Sequence, residues 1–95
     1  MIGKPKRIVD RKLLDSFHDR RCKACGRPGS DACHIKSKGS GGDDVWNNVI
    51  PLCRKHHCEQ HSIGWRKFCS KYPSVELYLN SIGWYFDRRD RLLKE

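Results

Sequence analysis

The residues able to do chemistry gather between Cys22 and His61. Cys22-Lys23-Ala24-Cys25 is one short pair, and Cys53-x-x-His56 is a second. Tetrahedral zinc takes four nitrogen or sulfur ligands in paired short spacings, so Cys22, Cys25, Cys53 and His56 form a candidate structural zinc site. Gly26 follows the first pair and can take the unusual backbone angles of a knuckle. A thioredoxin-like role would need a helix after the motif, and Pro28-Gly29 interrupts one. Cys58 is a less natural fourth ligand than His56, and Cys58 and Cys69 are expected as buried free thiols. A second set comprises Cys33, His34, the Gly41-Gly42-Asp43-Asp44 turn, Asn48, His57 and His61. His57 and His61 are four apart and share a helix face. His56 lies about 100° round from His57, so the adjacent histidines point to separate sites. His18 has no partner in sequence and reads as an ordinary exposed or satisfied side chain.

These residues need a scaffold, and the chain is short. Ninety-five residues make a single small domain. Such a domain buries only about two-thirds of its unfolded surface. With 37% hydrophobic and 33% charged residues, a staple is expected, and the six cysteines could supply one. No apolar run approaches the roughly 20 residues of a membrane span, and the first residues lack a signal-peptide core. A reducing, cytoplasmic setting is therefore expected, where clustered cysteines favour metal over disulfide. The net charge of +9 favours a polyanionic partner, since phosphate neutralisation releases counterions.

The elements that must position the site are legible in outline. Residues 1–8 form a basic arm, broken by Pro5, that could touch a phosphate backbone. Val9, Leu13, Leu14 and Phe17 fall at helical spacing, predicting an amphipathic helix over 9–18 that covers the metal core. Residues 32–35 read as a short strand, 36–44 as a Gly-rich loop, and 45–50 as a returning strand. The loop lacks the GKS/T ending of a phosphate-cradling P-loop. Pro51 suits the start of a helix over 52–61. That helix continues with Trp65, Phe68 and Tyr72, whose spacing is that of a buried stripe rather than a base-stacking platform. Pro73 breaks the pattern, and 75–86 predict one or two final helices, with DRRDRLLKE as a solvated helix end.

In order and spacing, residues 20–72 resemble the HNH, or ββα-metal, endonuclease family. The matches are His34-Ile35, Gly41-Gly42-Asp43-Asp44, Asn48, and Leu52-Cys53-Arg54-Lys55-His56-His57 with His61 one turn on. The phrase PLCRKHH looks especially like small phage and prophage members that carry a zinc knuckle. The resemblance implies an α+β fold: a zinc-stapled ββα-metal core at 20–72, an N-terminal arm and helix at 1–19, and a C-terminal helical tail at 73–95. It also implies a metal-dependent endonuclease that nicks or cuts DNA. His34 would be the general base, since an imidazole titrates near working pH. Asn48, rather than Asn47, would orient His34 or pin the loop. His57 and His61 would bind a catalytic divalent cation (Mg²⁺, Mn²⁺, Ni²⁺ or Zn²⁺) beside the structural Zn²⁺.

One departure from the pattern is Cys33, where the family usually carries Asp or His. A thiolate is softer and favours zinc or another transition metal over magnesium. Three readings follow: Cys33 ligates such a metal, it stands aside, or it marks a degenerate site in a zinc-containing module that only binds DNA. Lys36, Lys38, Arg54, Lys55 and Arg66 flank the site and are candidates for gripping duplex or branched DNA. Phosphate contacts position without specifying sequence, so weak sequence selectivity is expected, from a monomer or weak homodimer. A redox or zinc-storage protein would leave Asn48 and the His57/His61 pair unexplained.

Overall fold

A computed structural model of the protein describes residues 7–95, apart from the side chain of Lys38. The proposed phosphate-touching arm falls mostly outside the described residues, as does the Lys38 side chain. The ββα core contains β1 (Asp31–His34), β2 (Val49–Leu52) and α2 (Arg54–Lys71). It is preceded by α1 (Arg11–Ser16) and followed by α3 (Pro73–Ser81), β3 (Trp84–Phe86) and β4 (Leu92–Lys94). No helix among the described residues is long and apolar enough to cross a membrane.

β1 and β2 pair antiparallel, with Cys33 opposite Ile50 and His34 opposite Val49. All four residues of β2 are buried, and Ile50 and Leu52 join Ile35, Phe68, Val75 and Leu79 in the core. The returning strand begins at Val49, later than expected, because Trp46–Asn48 form a 3₁₀ turn closed by Asn48 N–H to the Val45 carbonyl. Pro51 belongs to this strand and does not start the helix. A two-stranded ribbon has an unpaired outer side, where a missing N–H costs no ladder bond. The Pro51 carbonyl instead accepts the Lys23 N–H at 3.0 Å, tying the knuckle to the ribbon. Cys53 is the N-cap of α2.

α1 is shorter than expected. Asp10 caps it by accepting the Leu13 N–H at 3.0 Å. Phe17 is buried at its end, whereas Val9 is exposed, so the apolar stripe covers the core only in part. α2 bends at Gly64, whose φ of 82° and ψ of 165° lie outside the helix and favour glycine. Across the bend, Glu59 accepts from Tyr72 Oη at 2.7 Å and from Lys71 Nζ. Beyond it, Phe68 and Cys69 are buried, with Trp65 and Tyr72 packed against the same core.

The C-terminal segment departs most from expectation. Residues 73–81 are helical, but 84–94 form an antiparallel hairpin, Trp84 opposite Lys94 and Phe86 opposite Leu92. Gly83 at φ 98° ends α3. Asp87 then organises the turn, accepting the Arg89 and Arg91 backbone N–H groups at 2.9 Å and Arg91 Nε at 2.8 Å. Three consecutive aromatics favour a pleated strand, and their burial alternates.

The Gly-rich loop is packed tightly at Gly42. A Cβ there would stand 1.8 Å from the Lys36 carbonyl oxygen and 2.9 Å from that of Ser37. Gly42→Ala is expected to cost about 1–3 kcal/mol, the usual penalty of overpacking. Each kcal/mol lowers the melting midpoint of a domain this size by about 4–8 °C. An unchanged thermal melt would show that the loop can rebuild without this contact.

Candidate active site and metal centres

The knuckle is a tight turn in which Cys22 N–H donates to the Arg27 carbonyl at 2.9 Å and Gly26 N–H to the Cys22 carbonyl at 2.8 Å. It faces the first turn of α2, where Cys53 and His56 project. Cys53 Sγ lies 3.1 Å from His56 Nδ1, Cys22 Sγ 3.7 Å from the same nitrogen, and Cys25 Sγ 3.9 Å from Cys53 Sγ. Ligands about 2.0–2.3 Å from a tetrahedral zinc stand roughly 3.3–3.8 Å apart, so these edges are close to those of a coordination shell. Burial pushes the Cys22 thiol up, but backbone N–H groups of Cys53, Ala24 and Cys25 outweigh it and hold the group below its ordinary value. The three thiols and one imidazole could hold a metal ion, and the donor set suits zinc. All six cysteines are free thiols. Cys69 is buried as expected, but Cys58 is exposed, because its position on α2 faces away from the core.

A second group lies one helix face away. Ligand atoms of Cys33, His57 and His61 fall within 4.8 Å of one another, and the two imidazole centroids are 4.9 Å apart. His57 Nδ1 donates to Asp31 Oδ2 at 3.1 Å, which leaves Nε2 as its free donor atom. Arg54 grips the same carboxylate with Nε at 2.7 Å and Nη2 at 3.3 Å. Burial works against the Asp31 charge, but Arg54 and His57 outweigh it and hold the carboxyl below the usual range. A carboxylate behind a ligating imidazole fixes its tautomer and ring orientation. Cys33 is fully buried and lies 3.8 Å from Gln60 Oε1. Burial, with the Asp31 charge nearby, pushes its thiol up to about 12. A cation joining this group must therefore displace a firmly held proton to gain the sulfur.

His57, His61 and His34 line one cleft of about 410 Å³, together with Leu14, Ala32, Ser37 and Gly39. Strand alternation turns Ala32 and His34 into this cleft, while Cys33 is buried behind its lining with its sulfur still within 4.8 Å of ligand atoms of His57 and His61. His34 Nε2 donates to Asp44 Oδ1 at 2.7 Å, so Nδ1 is the nitrogen free to accept a proton. Asp44 is itself buried and heavily bonded. Its Oδ1 also accepts from Arg7 Nη2 at 2.9 Å and its Oδ2 from the Asp10 N–H at 3.0 Å. Burial opposes this charge, but His34, the Asp10 amide and Arg7 together hold the carboxyl below its usual range. Asn48 makes no bond to His34. Its Oδ1 accepts the Lys36 N–H at 2.8 Å, and its Nδ2 donates to the Lys36 and Asp43 carbonyls at 3.2 and 2.9 Å. It pins the loop that carries Asp44.

The proposed phosphate-gripping side chains are less uniform. Lys36 and Lys55 are exposed. Arg54 is occupied by Asp31, although its guanidinium remains mostly in solvent. Arg66 lies over the Phe86 ring at 4.3 Å and is bonded to Ser70 at 3.1 Å, so it serves packing first. His18 is exposed, with Nδ1 donating to the Ser30 carbonyl at 3.0 Å. The sequence reading missed Asp31 and missed Asp44 as the partner of His34. Asp44 stood within the Gly-Gly-Asp-Asp turn, where its acidity was visible but its direction was not.

The chain matches the family described as "Putative HNHc nuclease" over residues 5–81, and it belongs to that family of HNH nucleases. It is also 38% identical over 66 residues to a protein named "Uncharacterized protein YdfU" from Escherichia coli (strain K12). That alignment covers 64% of this chain but only 18% of the relative's length. No solved structure matches.

Proposed function

We propose that this domain is a metal-dependent DNA endonuclease that hydrolyses phosphodiester bonds with little sequence preference. The observation that carries this reading is the convergence of His34, held by buried Asp44, on the cleft lined by His57 and His61. His34 Nδ1 takes the proton of the attacking water, while Asp44 keeps the imidazole in the tautomer that makes Nδ1 basic. Asn48 acts at one remove by fixing the loop. His57 and His61, with Cys33, would hold a divalent cation. Bound there, such an ion supplies Lewis-acid stabilisation of charge on the phosphate and the leaving oxygen. Cys22, Cys25, Cys53 and His56 would hold a separate structural zinc. The partner is DNA, consistent with the net charge of +9.

Cys33 favours a second reading, a zinc-containing module that binds DNA without cutting it, because its thiol is buried and protonated. Nicking of supercoiled plasmid separates the two. The protein is purified with its structural zinc retained and then given Mg²⁺, Mn²⁺, Ni²⁺ or additional Zn²⁺. Open-circle product dependent on added metal is the expected result. Binding without a nick under every ion would reject the nuclease reading and leave the binding module.

A further inference from the structure

The Gly-rich loop separates two concavities. Ser37 and Gly39 line the catalytic cleft, whereas Lys36, Gly41 and Asp43 line a second pocket of about 310 Å³. The other wall of that pocket comes from Asn47, Trp84 and Lys94. Trp84 and Lys94 belong to the C-terminal hairpin, which lies beyond residue 81, where the family match ends. The hairpin is anchored to the loop side of the site, since the Trp84 indole N–H donates to the Asn47 carbonyl at 2.7 Å. Glu95 N–H closes the same end by donating to the Gly83 carbonyl at 2.9 Å.

The charges in this pocket are unbalanced. Lys36 and Lys94 form no ion pair with a carboxylate among the described residues. The one acid in the lining, Asp43, is engaged through Oδ1 with the Ile8 N–H at 2.7 Å. Two ammonium groups against the one Asp43 carboxylate leave the lining with a net single positive charge, which matches the single negative charge of a backbone phosphodiester. Because the loop is a shared wall, a strand lying over the cleft passes directly to this pocket. We infer that Lys36 and Lys94 hold a nucleic-acid backbone phosphate flanking the scissile one, so that the hairpin extends the DNA track beyond the family core. This inference rests on the nuclease reading for its substrate, but the contact itself is testable without cleavage.

The test measures binding of a short fluorescein-labelled duplex across a salt series, in a His34→Ala background that keeps the DNA intact. The slope of log affinity against log salt is expected to fall by about 0.9 in Lys36→Ala/Lys94→Ala, the loss of one phosphate contact. Lys94→Ala alone should fall part of the way, and Lys94→Arg should keep the parental slope. Lys67→Ala, exposed and lining neither concavity, is the control. An unchanged slope in the double variant, or an equal fall in the control, would overturn the inference. So would variants that lose affinity for inorganic phosphate alone while retaining their duplex affinity. Plasmid nicking by the parent reports independently on the nuclease reading. A slope change without nicking leaves the pocket standing, and nicking with no slope change removes it.

Discussion

Plasmid nicking is expected to fall by about 10²–10⁴-fold in His34→Ala, the range lost when a positioned general base is removed. Affinity for the duplex should be unaffected, because His34 faces the cleft floor and is already bonded to Asp44 at 2.7 Å. The companion variant, Asp44→Asn, is more informative. An amide in place of the carboxylate can donate to Nε2 and so favour the tautomer that protonates Nδ1. A loss of about 10- to 100-fold is expected, the size typical of residues that orient a reacting or ligating imidazole. The loss should appear in turnover at saturating DNA and not in the DNA concentration required. Asp44 also receives Arg7 and the Asp10 amide, so a thermal melt must accompany the assay. If His34→Ala nicks at the parental rate, the base lies elsewhere and the proposed mechanism is wrong.

Removing the zinc proposed for the Cys22, Cys25, Cys53 and His56 cluster should unfold the domain. Binding at a site of three thiolates and an imidazole contributes about 10–16 kcal/mol in small zinc domains. Whole-domain stability is only about 5–15 kcal/mol, so little folded apo protein should remain. The Cys22 to His56 cluster ties the knuckle to the N-terminus of α2, and the one Lys23 N–H bond to the Pro51 carbonyl is too weak a link to replace it. Far-UV circular dichroism during titration with a strong chelator should lose its helical signal as one zinc per chain is released. Readdition of zinc should restore it. Cys53→Ser should reproduce the apo state, whereas Cys69→Ala, outside the cluster, should melt cooperatively. A chelated, zinc-free protein with its helix signal intact would refute the structural role.

The parts of the fold readable in the chain are those governed by short spacings. Two residues between thiols, or between a thiol and an imidazole, set a bite that a turn or first helical turn must honour. The helical period alone separates His56 from His57, and the two indeed join different clusters. Asp31 and Asp44 were not readable as partners, because each meets its histidine only after β1 has been laid against α2 or the loop. Pro51 misled for a related reason. A proline fits both the first turn of a helix and the free side of a ribbon, and only the pairing of β1 with β2 decides. The hairpin was mistaken for helix because short apolar runs carry both periods, and the deciding feature is the Asp87 turn.

The adjacency of His56 and His57 on one helix has an evolutionary consequence. A one-residue insertion or deletion between Cys53 and His61 rotates everything beyond it by about 100°. That rotation would carry one set of imidazoles away from its partners while leaving every side chain chemically intact. An exposed position such as Cys58 can change identity freely, whereas the length of this stretch cannot change. Among related chains, drift here should therefore be confined to substitution, with gaps displaced into the Gly-rich loop and the segment after Gly64.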